Sequence, residues 1–157
     1  MPRCLMVYYS QSGTTQKVAE HICKGLKSTG YQVDLCNLET EKAPDTTQYD
    51  LLGIGSPVYF FNPVSDIKRY INRLPQLNGM PAFVFGAYGT DYGKAPEKLA
   101  QLLATKGARN AGSCYCRNAN FIIGYIKAGE VLGLDHIKPE ELNKAEAFGS
   151  AIGNIFA

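Results

Sequence analysis

Ser10, Ser12, Thr14 and Thr15 put four hydroxyls within six residues, with Gln11 and Gly13 between them. The apolar run Cys4 to Tyr9 precedes them, and an amphipathic stretch starting near Thr15 follows. A strand, a short hydroxyl-rich turn and a helix in that order make a receptacle for a phosphate. The first N–H groups of a helix have no partner within it and carry partial positive charge. Hydroxyls add donors, and a glycine lets the backbone come close to the anion. The loop holds no Lys or Arg, and neither G-x-x-x-x-G-K-[ST] nor G-x-G-x-x-G occurs. A nucleoside-triphosphate loop and a dinucleotide loop are therefore excluded. The bland alternative is an ordinary helix cap, but one cap does not need four hydroxyls. The loop by itself leaves the ligand unnamed.

Two later segments supply the other half of the chemistry. Ser56-Pro57-Val58-Tyr59-Phe60-Phe61-Asn62 and Gly86-Ala87-Tyr88-Gly89-Thr90-Asp91-Tyr92-Gly93 are both rich in aromatics. Adjacent aromatics in a loop leave an apolar patch in water unless something covers them. A flat ring wedged between the two loops would cover both and gain from stacking. The competing reading is that Phe60 or Phe61 folds back into the core. Gly86, Gly89 and Gly93 let the second loop bend sharply, so that its amides can meet the polar edge of a ring. A phosphate at one end and a flat heteroaromatic at the other describe a mononucleotide.

These loops need a scaffold, and the hydrophobic pattern gives one. Strands are expected at Cys4–Tyr9, Gln32–Cys36, Leu51–Gly55, Ala82–Phe85 and Gly112–Cys116. Between them run helices with apolar steps of three and four: Thr15, Val18, Ile22 and Leu26, then Val64, Ile67, Ile71 and Leu74. A third helix carries Leu99, Leu102 and Leu103, and the last, from Pro139, carries Leu142, Ala145, Phe148, Ile152 and Phe156. Asn62-Pro63 reads as the start of the second helix, with Asn as its cap and Pro at its first position. Asn37 to Gln48 is a polar connection with room for one helical turn. Alternating strands and helices in 157 residues mean one α/β domain, 1–157, with a doubly wound parallel sheet and helices on both faces. Ligands in such sheets bind beyond the carboxyl ends of the strands.

Composition narrows the class. The net charge of +2 carries no basic stripe, which argues against a nucleic-acid partner. No stretch is apolar enough to span a bilayer, so a soluble, cytoplasmic protein is expected. Five cysteines lack C-x-x-C spacing, which speaks against a metal or iron–sulfur site. Cys114 and Cys116 share one strand face and read as reduced core thiols. His21 and His136 have no Cys or Asp partner suggesting a triad or a metal site.

Three segments carry a resemblance: Tyr8–Thr15, Tyr49–Tyr59 and Phe83–Gly89, in that order and at these separations. The chain resembles the flavodoxin family, and in particular the flavodoxin half of the flavodoxin–ferredoxin fusion proteins of anaerobes. The resemblance implies a three-layer, five-stranded parallel sheet of order 2-1-3-4-5 and flavin mononucleotide (FMN) as cofactor. It implies that Ser10, Ser12, Thr14 and Thr15 hold the phosphate with the loop amides of Gln11 and Gly13. Pro57, Val58, Tyr59 and Phe60, after Ser56, would line one side of the isoalloxazine. Tyr88, Gly89 and Tyr92, with Ala87 and Gly93, would line the other. No catalytic residue and no metal ligand is implied. The partner would be a redox protein, ferredoxin-like or a reductase, and the chain a monomer or weak dimer.

Three departures from the family pattern bear on function. The cluster-binding cysteine motifs of the fusion proteins are missing, and the strong acidity of many carriers is replaced by near balance. Many carriers also have a Gly in the loop after the third strand, where a peptide flips on one-electron reduction. Ser56 to Asn62 has none, which implies weak stabilisation of the one-electron-reduced flavin. The segment Arg117 to Lys127, with Phe121 and Tyr125, leaves from the ligand-bearing edge. It is expected to shield the flavin or frame a docking surface, with Arg117 and Lys127 as charged contacts. Two other functions fit the same residues: an NAD(P)H-dependent flavin or quinone reductase, and a binding module without redox work.

Overall fold

The apolar run near the start forms β1 (Arg3–Tyr8), and the stretch after the hydroxyl loop forms α1 (Thr14–Ser28). This is a computed structural model, which describes residues 1–59, 61–118 and 137–156. The later elements are β2 (Gln32–Asn37), β3 (Leu51–Gly55), β4 (Val58–Tyr59), β5 (Asn62–Pro63), α2 (Ser65–Arg73), β6 (Pro81–Tyr88), α3 (Ala95–Thr105), β7 (Arg109–Arg117) and α4 (Pro139–Phe156). A single 3₁₀ turn, Thr46–Gln48, interrupts the polar connection after β2.

The five long strands pair in the order β2-β1-β3-β6-β7, all parallel. With the small β4–β5 ribbon set aside, this is the expected order 2-1-3-4-5. Strands buried on both faces read as continuous apolar runs, and β1 and β3 do so. Even-numbered residues of β1 face one helix layer and odd-numbered ones the other. Met6, Tyr8, Phe83 and Phe85 pack under α1 and α4. Leu5, Val7, Leu52, Ile54 and Val84 pack under α2 and α3. Helices α1 and α4 meet through glycines: a Cβ on Gly25 would sit 2.0 Å from the Glu146 carbonyl oxygen, and one on Gly149 2.1 Å from that of Ile22.

The sequence reading of Asn62-Pro63 as a helix start is corrected here. These residues form β5, pairing antiparallel with β4 through Val58–Pro63 and Tyr59–Asn62. Pro63 has no N–H to donate, and a two-residue ribbon edge tolerates that as well as a first helical turn does. The helix begins at Ser65, and Val64 before it offers no side-chain cap. The Val64 N–H is instead taken by the Ser56 hydroxyl. The expected strand at Gly112–Cys116 extends back to Arg109 through a bulge opposite Ala82/Phe83. Of the Arg117–Lys127 segment, Arg117 and Asn118 are described; Phe121, Tyr125 and Lys127 lie outside the described residues, as do His136 and Phe60.

Candidate functional site

Register fixes where the strands end. Tyr8 pairs with Gly55, and Gly55 with Phe85, so the loops after β1, β3 and β6 leave from one edge.

At the first loop, Gly13 caps α1 at φ +92, and Lys17 N–H donates to the Gly13 carbonyl to start the helix. A left-handed position at this point suits only a residue without a Cβ. The Ser10 hydroxyl accepts from the Gly13 and Gln16 amides at 3.1 and 3.3 Å. It therefore caps the helix, using amides that an anion can also claim. The Ser12 and Thr14 hydroxyls sit 3.1 Å apart. Thr15 is buried, whereas Gln11 is exposed. Behind the loop lies Asn37, at the carboxyl end of β2. Its Oδ1 accepts from Ser10 N–H (3.1 Å) and its Nδ2 donates to the Ser10 carbonyl (3.0 Å), clamping the loop from both sides.

At the second loop, the buried Ser56 hydroxyl donates to the Pro57 carbonyl (2.7 Å) while accepting from Val64 N–H (2.9 Å). Its hydrogen bonding is spent on closing the β4–β5 ribbon. Tyr59 and Phe61 stand 45% and 54% exposed on that ribbon. Phe61 takes φ +65 at its turn and lies against Gly93, where a Cβ would come 2.8 Å from that of Phe61. Lys98 donates to the Asn62 carboxamide and ties the ribbon to α3.

At the third strand end, β6 runs on through Gly86, Ala87 and Tyr88, which the sequence pattern assigns to the loop, and Gly86 serves close approach to the Ser56 carbonyl rather than a bend. Tyr88 makes an edge contact with Tyr92 of the loop beyond, with centroids 5.1 Å apart and planes at 87°. Tyr92 also packs on Tyr115 at 5.4 Å. The Asp91 carboxylate accepts from Gly93 N–H at 2.9 Å and sets the bend. The end of β7 holds this loop: Asn118 N–H donates to the Tyr88 carbonyl (2.8 Å) and Arg117 Nε to that of Gly89 (3.2 Å).

The three loops enclose a cavity of about 170 Å³ lined by Ser12, Thr14, Pro57, Val58, Tyr59, Ala87, Tyr88, Gly89 and Asn118. Eight of these nine were candidates from the sequence. Ser10, Gln11, Gly13, Thr15, Ser56, Tyr92 and Gly93 stand behind or beside that lining. Tyr92 buttresses Tyr88, and Gly93 supports Phe61. Asn37 and Asn118 were missed; both directly follow or end a strand at the ligand-bearing edge, which is the signal that marks them. A larger cavity of about 780 Å³ runs along α2 and the 38–46 connection. It mixes charges of both signs and lies away from the converging hydroxyls, so the smaller cleft is the functional candidate. Burial holds the Tyr59 and Tyr88 phenols above their ordinary range, so both walls stay neutral.

Residues 6–148 match the flavodoxin family model. The chain belongs to the flavodoxin family. It is 27% identical over 154 residues to an uncharacterized protein of Methanocaldococcus jannaschii, covering 96% of this chain and 97% of that one. A flavodoxin of Megasphaera elsdenii is 26% identical over 111 residues, 69% of this chain and 81% of its own. A solved flavodoxin from the domain Archaea superposes with a TM-score of 0.75 at 19% identity, covering 98% of both chains. Flavodoxins bind FMN and transfer electrons. The donor set of this flavodoxin fits that cofactor: paired hydroxyls at a helix N-terminus for a monophosphate, and neutral aromatic walls for a ring. None of the described residues forms a helix long and apolar enough to cross a membrane.

Proposed function

We propose that this flavodoxin is an electron carrier that passes electrons between partner proteins on FMN held at the ends of β1, β3 and β6. The observation that carries the reading is the composition of the cleft. Among the described residues, its lining offers hydroxyls, aromatics, small residues and one carboxamide, with no carboxylate, imidazole, thiol or ammonium. Such a wall suits binding and tuning a flavin, which supplies the electron chemistry itself. In this reading Ser10, Ser12, Thr14 and Thr15, with the Gln11 and Gly13 amides, hold the phosphate. Ser56, Pro57, Val58, Tyr59 and Phe60 form one wall; Ala87, Tyr88, Gly89, Tyr92 and Gly93 form the other. The protein acts in the cytoplasm as a monomer or weak dimer. Its partner is a ferredoxin-like iron–sulfur protein or a reductase, the former being what the fusion proteins join to this fold.

A visible spectrum tests the proposal. The purified chain reconstituted with FMN should be yellow, keep its colour for minutes with NADH or NADPH alone, and bleach when a reductase is added. Rapid bleaching by the nicotinamide alone would make it a flavin or quinone reductase. Failure to take up FMN would leave a binding module without redox work.

A further inference from the structure

Arg117 is the last residue of β7 and pairs with Tyr88, the last of β6. The Asn118 N–H fixes that register by donating to the Tyr88 carbonyl at 2.8 Å. The Arg117 side chain then reaches one residue further and donates through Nε to the Gly89 carbonyl at 3.2 Å. A guanidinium has five N–H donors, so four stay available. Among the described residues no carboxylate lies within ion-pair distance of it. Asp91, in the same loop, gives its carboxylate to Gly93 N–H, and Glu141, on α4, gives its own to Lys144. Arg117 is therefore a permanent positive charge tied to the wall of the cleft and not neutralised there.

On the reading that FMN occupies the cleft, we propose that Arg117 biases the flavin toward its fully reduced, anionic form. The cleft has an apolar side and a polar end. Pro57, Val58 and Tyr59 line the ribbon side, whereas Gly89 and the Asn118 carboxamide line the end where β6 and β7 finish. An isoalloxazine is likewise apolar at its dimethylbenzene edge and polar at its pyrimidine edge. A polar edge set against an apolar wall would lose its hydrogen bonds, so the pyrimidine edge goes to Gly89 and Asn118.

Full reduction brings two electrons from the partner protein and one proton from water, which binds N5. The oxidised ring is neutral, so one negative charge remains, shared by N1 and the C2 carbonyl of the pyrimidine edge. An opposite charge nearby favours the charged state of such a group, and charge near N1 is one means by which a protein tunes a flavin. The Arg117 guanidinium, tied to the Gly89 carbonyl, supplies that charge at the same end of the cleft. Arg117 is exposed, so water and salt weaken the effect without removing it.

Redox titration of the FMN-loaded full-length chain tests this, because the potential of bound relative to free FMN gives the ratio of its affinities in the two states. Arg117→Gln should weaken the reduced form about tenfold relative to the oxidised one, which is about 30 mV for a two-electron couple. Arg117→Lys, which keeps the charge, should retain most of the wild-type ratio, and the wild-type ratio itself should shrink as salt rises. Equal shifts in the Gln and Lys variants would assign the effect to the hydrogen bond on Gly89 and overturn the proposal. So would a Gln variant at the wild-type potential, or a wild-type potential indifferent to salt, a result that needs neither variant to fold. A wild type that takes up no FMN overturns this proposal and the carrier reading together; rapid bleaching by NADPH overturns the carrier reading alone.

Discussion

Phe61 holds φ +65 at the turn of the β4–β5 ribbon, a conformation that costs a residue with a Cβ on the order of 1–2 kcal/mol. The ring is more than half exposed, so burial offsets little of that cost. Two contacts hold the turn instead: Phe61 rests on Gly93, and Lys98 binds the neighbouring Asn62. Ser56 to Asn62 has no glycine where the resemblance to carriers implies a peptide rearrangement, and a phenylalanine already occupies the left-handed position there. A turn locked by its side chain resists a change of peptide orientation. Reductive titration of the FMN-loaded protein, followed by visible absorbance, should therefore show little one-electron-reduced flavin. Phe61→Gly frees the turn and should raise that fraction several-fold at most of the titration, by roughly 1 kcal/mol of relative stabilisation. A wild type that passes most of its flavin through the radical would contradict this.

At the scale of elements, the first loop is positioned by a neighbour in space rather than in sequence. Asn37 gives Ser10 two hydrogen bonds and accepts a third from Glu39 N–H at 3.1 Å. Asn37→Leu leaves the Ser10 amide and carbonyl without those partners, which should destabilise the fold by about 1–3 kcal/mol. FMN should lose affinity in parallel while riboflavin, lacking the phosphate, loses less; urea unfolding and fluorescence titration of the two flavins check both. This clamp was not legible in the sequence, because Asn37 reads as the first residue of a polar connection and nothing local marks its 27-residue reach. What periodicity could show, it did show: β3 at Leu51–Gly55 and the stripes of α1 and α3 lie where apolar spacing puts them. Most of the cleft was legible too, because strand ends in a parallel sheet must share an edge. Asn62-Pro63 misled for a physical reason. Asn before Pro is as favourable in a tight ribbon as at a helix start, and only the pairing with Val58 and Tyr59 decides between them. Tyr92 was legible as an aromatic of the site but not as a buttress, since its contact with Tyr115 crosses from one loop to a different strand.

At the scale of the whole molecule, 16 basic and 14 acidic side chains leave a weak overall field. Electrostatic steering then contributes little, and electron transfer to a partner should change less than about tenfold between low and high salt, as stopped-flow traces would show. The molecule's dependence on pH should instead appear at the alkaline end, through its buried phenols. Burial, with smaller effects from Glu20 and Glu41, raises Tyr8 from 10.0 to about 12, and burial pushes Tyr70 and Tyr115 upward as well. In each case the folded state keeps a proton that the unfolded chain releases at lower pH. The resulting stability is fully present below pH 10, where the phenol is protonated in both states. It is lost as the pH climbs through the folded value, because the unfolded state gains by ionising first. Urea midpoints should thus be insensitive to these groups from about pH 7 to 9 and fall beyond about 10. Tyr8 packs against Phe85 at 6.4 Å between ring centroids, a contact that Phe can keep. Tyr8→Phe should therefore fold normally and lose part of the alkaline fall. An unchanged alkaline limb in that variant would mean that Tyr8 carries none of it.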